Sequence, residues 1–100
     1  MKESKVSENA DYNSASEKLS ALRSEIDKLD DTVWLLLEKR FALLKKVGRI
    51  KHDLNIPILD EKREKDVLAR INALPCDAEI SAAISKLYEL LFALSKKYQK

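Results

Sequence analysis

One hundred residues bound the chain to one small domain, and an apolar share of 45% is enough to give it a core. A single glycine, two prolines and 6% aromatic residues leave little for hairpins or tight loops, so the fold class is all-α. A net charge of +2, with carboxylates mixed among the cations, argues against a nucleic-acid or membrane surface.

Cys76 is the only cysteine and His52 the only histidine, so an intrachain disulfide is excluded and metal-ligand spacing is absent. No metal or cofactor is expected. No apolar run is long enough to span a bilayer, and the polar N-terminus lacks the apolar core of a signal peptide, so a cytoplasmic protein is expected.

Residues 1–13 are polar and aperiodic, which predicts a disordered tail ahead of a helical domain at 14–100. Helix 1 is predicted to open at Ser14-Ala15-Ser16-Glu17, with the spacing of a capping box, and to end at Asn55-Ile56-Pro57, because Pro57 disfavours helical geometry at Ile56. A heptad numbered from Leu19 places Leu19, Ile26, Val33, Arg40, Val47 and Leu54 on one line and Leu22, Leu29, Leu36, Leu43 and Ile50 on its companion. Arg40 is the one charge on that seam. Lys51 borders it, three and four residues after Gly48 and Val47. A half-buried guanidinium costs several kcal/mol unless an anion meets it, and no acidic residue shares the seam. The seam therefore reads as apolar packing that opens into an anion-binding cavity.

A helix of about 40 residues is on the order of 60 Å long, whereas a compact chain of this length has a radius of gyration of about 13 Å. The remaining residues cannot cover such a rod. A homodimer with interlocked subunits follows as an expectation: three helices of unequal length per chain, six in the assembly.

Helix 2 is predicted from Asp60, a good N-cap, to about Leu74 before Pro75, with Val67, Leu68, Ile71 and Leu74 inward. Asp60, Arg63 and Glu64 occupy the N-terminal end of that face. Helix 3 is predicted to be capped by Asp77, with Ile80, Ile84, Leu87, Leu91, Leu94 and Tyr98 inward and Tyr88, Phe92, Ser95 and Gln99 on a neighbouring stripe.

The inward polar groups are then Arg23, Arg40, Lys51, Asp60, Arg63, Glu64, Ser95 and Gln99. None is a nucleophile with a base in reach, and glycine-rich phosphate loops are absent. Fixed cations with a few neutral and acidic hydrogen-bonding groups suit a small dianion, with catalysis, if any, by electrostatic preorganisation. Blander roles stay open: Arg40 could snorkel, Arg23 could pair with Asp27, Asp60 could simply cap a helix, Glu64 could be an exposed first-turn carboxylate and Ser95 could bond back to Leu91. A non-catalytic helical dimerisation module would also need only the heptads.

In these residues the chain resembles the all-helical, type II chorismate mutases, which convert chorismate to prephenate. The resemblance runs from about Leu19 to Lys100. It rests on Leu22-Arg23-Ser24-Glu25-Ile26-Asp27, Glu38-Lys39-Arg40 and Val47-Gly48-Arg49-Ile50-Lys51 in helix 1, on Pro57, Asp60, Arg63-Glu64 and Asp66, and on Ser95 and Gln99. It implies that Arg40 and Arg23 clamp the substrate's two carboxylates, Arg23 from the other subunit, with Arg63 and Ser95 assisting. It further implies that Lys51 and Gln99 donate to the ether oxygen, and that Glu64 and the backbone near Asp60 hold the ring hydroxyl. An isochorismate pyruvate-lyase of the same fold remains an alternative. No second domain is expected within the chain, and no regulatory segment is visible.

Overall fold

A computed structural model of the protein describes the backbone of residues 2–100 and the side chains of residues 11–100. Three helices follow in order, α1 (Lys2–Asp53), α2 (Glu61–Asn72) and α3 (Ala78–Gln99), with no strand among the described residues. The contacts divide the chain into two units, Met1–Glu38 and Lys39–Lys100.

The first unit is helix alone. α1 is already running at Lys2, so Ser14-Ala15-Ser16-Glu17 lies within it and does not cap it. Residues 2–13 contain neither glycine nor proline, and a capping box acts only where the chain leaves the helix. The helix thus runs through residues 2–13, where a disordered tail was expected; Met1 lies outside the described residues. Further along, Leu22, Ile26, Leu29 and Val33 are exposed, Leu29 at 65%, because a single helix has no second layer on which to bury its seam.

The second unit holds the end of α1 with α2 and α3. α1 stops in a Schellman arrangement: Ile56 N–H donates to the Lys51 carbonyl at 2.8 Å, Asn55 N–H to that of His52 at 3.2 Å, and Asn55 takes the left-handed conformation at φ 58°. α2 is shorter than predicted at its C-terminal end. Asp60 caps it, its Oδ1 accepting from Arg63 N–H at 3.0 Å. α3 has Asp77 at its N-cap position without a side-chain cap bond; Asp77 contributes its backbone carbonyl to Ser81 N–H at 3.1 Å.

α2 packs on α3, and the most buried apolar side chains, Ile71 and Phe92, come from these two helices. Leu74, predicted inward, is exposed past the end of α2. The larger correction concerns α3. The inward face carries Ser81, Tyr88, Phe92, Ser95 and Gln99; of the face predicted inward, Ile84 and Leu91 are half-buried, whereas Ile80, Leu87, Leu94 and Tyr98 are open, Leu87 at 66%. Both stripes are apolar enough to pack, and the deciding contacts come from α1: Arg40 donates to Ser95, Lys51 donates to Gln99 and Gly48 lies against Gln99, while Phe41 stacks on Tyr98 at the edge of the other stripe with ring centroids 4.5 Å apart. A β-carbon built on Gly48 would fall 2.7 Å from Gln99 Cα, so only glycine permits this approach.

Candidate active site

α1, α2 and α3 together enclose a cavity of about 410 Å³ in the second unit. The last turns of α1 supply Arg40 and Lys51 beside Leu43, Leu44 and Val47; the α1–α2 connection supplies Ile58 and Asp60; α2 supplies Arg63, Glu64 and Val67; α3 supplies Phe92, Ser95, Lys96 and Gln99. Seven of the eight residues picked out in the sequence thus share one cavity. Arg23 belongs to the first unit, where it is exposed, and is not among the lining residues.

Arg40 is half-buried and held at two points: its Nη1 donates to Ser95 Oγ at 2.6 Å, and its guanidinium lies 5.6 Å from the Tyr88 ring centroid. Ser95, only 4% exposed, donates onward to the Leu91 carbonyl at 2.6 Å. Bonding back to Leu91 and serving Arg40 are therefore one arrangement: the hydroxyl hydrogen is spent on the helix, which leaves the oxygen as acceptor for the guanidinium.

Lys51 Nζ donates to the Ile58 carbonyl at 2.8 Å and to Gln99 Oε1 at 2.7 Å. A lysine can donate only, so its partner must be the amide oxygen of Gln99, which turns Nε2 away from Lys51 as a donor. That nitrogen makes a 3.4 Å contact with the Ser95 carbonyl and keeps a second hydrogen. Lys51, Gln99, Ser95 and Arg40 thereby form one connected set along α3.

Lys96 was missed in the sequence. Its Nζ lies 3.2 Å from Glu64 Oε2. The signal was there, since Lys96 sits one turn after Phe92 and three residues before Gln99, but a helical lysine defaults to solvent. In all, four cations and two carboxylates line the cavity, an excess of two positive charges. No group of histidine, cysteine and carboxylate side chains that could hold a metal occurs among the described residues, nor is any helix there long and apolar enough to cross a membrane.

A cationic, partly apolar cavity with its donors already fixed, set in a helical fold, suits a small anionic guest. Residues 22–100 match the family chorismate mutase type II, and the chain belongs to that family of isomerases. It is 36% identical over 85 residues to the chorismate mutase of Methanocaldococcus jannaschii, spanning 84% of this chain and 86% of that one. Longer relatives match over one segment. The bifunctional chorismate mutase/prephenate dehydratase of Aquifex aeolicus is 40% identical over 55 residues, which are 55% of this chain and 15% of its own. The T-protein of Haemophilus influenzae is 38% identical over 73% of this chain and 19% of its own. Among solved structures, a conserved hypothetical protein from Pyrococcus furiosus superposes with a TM-score of 0.70 at 36% identity, covering 83% of this chain and 96% of that one.

Proposed function

We propose that this cavity converts chorismate to prephenate by holding the substrate in its compact conformer and stabilising the charge that develops on the ether oxygen. The rearrangement is concerted and intramolecular, so it needs no nucleophile and no proton transfer; positioning and preorganised donors are sufficient. The acceleration required is roughly 8 kcal/mol, at the low end of enzymatic rate enhancements.

Arg40, held by Ser95, binds one substrate carboxylate, and Arg63 assists. Lys51 and Gln99 donate to the ether oxygen, while Glu64, with the backbone near Asp60, receives the ring hydroxyl. The observation that carries this reading is the bond between Lys51 and Gln99, which sets two donors side by side at one end of a cavity whose other cations suit carboxylates. The excess of two positive charges matches the charge of the guest.

The working form is an intertwined, six-helix homodimer in which Arg23 of one subunit reaches the cavity of the other and clamps the second carboxylate. Two features support it: the bare seam Leu22, Ile26, Leu29 and Val33 in the first unit, and the open stripe Ile80, Leu87 and Leu94 in the second. Apolar faces of that extent call for a partner surface. A cytoplasmic location and the domain span 14–100 belong to the same reading.

Incubation of the chain with chorismate tests it. Prephenate should form at a rate proportional to protein, and isochorismate should give no pyruvate or salicylate; failure to consume chorismate would overturn it.

A further inference from the structure

One ion pair in the cavity joins Glu64, which receives the ring hydroxyl, to Lys96, which has no role so far. Lys96 Nζ and Glu64 Oε2 lie 3.2 Å apart and join α3 to α2, with side chains 36% and 26% exposed. Water reaches both side chains, which keeps the pair's contribution to stability modest, and both residues line the cavity. Glu64 itself is awkward in a cavity that takes a dianion, because an uncompensated carboxylate repels such a guest. Of the other cations lining the cavity, Arg40 is engaged with Ser95 and Tyr88 and Lys51 with the Ile58 carbonyl and Gln99, and among the described residues Arg63 makes no ion pair with Glu64.

We propose that Lys96 is a positioning and specificity residue, whose ammonium neutralises Glu64 through Oε2 and leaves Oε1 as the acceptor for a hydroxyl group on the dianion. This rests on the reading of the cavity given above. Lys96 makes an acidic acceptor tolerable in an anion site, and by engaging one carboxylate oxygen it leaves the other to accept. Selectivity follows. A dianion with a hydroxyl facing Glu64 gains a charge-assisted hydrogen bond, while one lacking the hydroxyl gains nothing from the pair and leaves a polar group without its partner.

A double-mutant cycle on the full chain tests the assignment, with Lys96→Met, Glu64→Gln and the double variant, and with Lys96→Arg as the conservative replacement. Two inhibitors serve as probes, an ether-bridged bicyclic diacid with its ring hydroxyl and the same diacid without it. Lys96→Met should weaken the hydroxylated diacid about tenfold and leave the other within about twofold, Lys96→Arg should restore the difference, and in the Glu64→Gln background Lys96→Met should alter neither. Thermal melting of all variants should stay within a few degrees of the parent. Equal losses for both diacids, a loss that persists without the Glu64 carboxylate, or no loss at all would overturn the role of Lys96. If the parent chain converts chorismate while the cycle is additive, the Lys96 assignment alone fails. If the parent neither converts chorismate nor binds either diacid, the reading of the cavity fails and takes this one with it.

Discussion

Lys51 and Gln99, 48 positions apart in the chain, meet at 2.7 Å, and the ammonium decides which way the amide faces. With Oε1 committed to Lys51, Gln99 can offer only N–H groups to a guest, so a residue that usually presents both donor and acceptor becomes a donor by position. Lys51→Ala removes one donor and releases the other. The turnover number should fall by a factor on the order of 10²–10³ while the fold persists, because the lost contact strengthens as charge develops on the reacting oxygen. Steady-state kinetics beside thermal melting checks this.

Arg40 and Ser95 make a second such pair, at 2.6 Å. Ser95→Ala keeps the cation but removes its anchor, so KM should rise roughly tenfold with a smaller change in turnover number. Arg40→Leu should abolish turnover and leave the chain as stable as before or more so, since leucine completes the seam. A stable Arg40→Leu protein with normal activity would place the substrate elsewhere.

Gly48→Ala tests the close approach of α1 and α3. The added carbon meets backbone of Gln99 that cannot turn aside as a side chain would. The end of α3 must shift, at about 1–3 kcal/mol in stability, and the Lys51–Gln99 bond shifts with it. Activity should fall more steeply than melting temperature, to be read by comparing both in one preparation.

Assembly is tested on the bare seam of the first unit. If the proposed dimer forms through this seam, Leu29→Lys or Val33→Lys should yield monomers in sedimentation velocity and lose turnover, since Arg23 is proposed to act in the partner's cavity. For the parent chain, the melting temperature should rise with protein concentration, as for any fold completed by association.

Much of this site was legible because helical spacing turns residue identity into faces. Arg40 on a leucine seam and Ser95 one turn from Gln99 were readable as inward groups before any coordinates, and Asp60 and Pro75 bounded α2. The inward face of α3 was only partly legible, because Leu87-Leu94 and Tyr88-Phe92 are equally apolar and the contacts of Arg40, Lys51 and Gly48 with Ser95 and Gln99 choose between them. Asn55 offered a helix-ending signal that Pro57 overshadowed, since asparagine takes the left-handed position nearly as glycine does. The start of α1 was misplaced because nothing before Ser14 breaks a helix.

Everything proposed for the cavity depends on Lys51, Gln99 and Arg40 being preorganised to receive a compact dianion. Calorimetric titration of the ether-bridged bicyclic diacid into the parent chain and into Lys51→Ala tests it most directly. The account predicts one molecule bound per chain, displaced by chorismate, with affinity at least about a hundredfold weaker in Lys51→Ala. Equal affinity in the two proteins, or no heat of binding to the parent at saturating diacid, would contradict it.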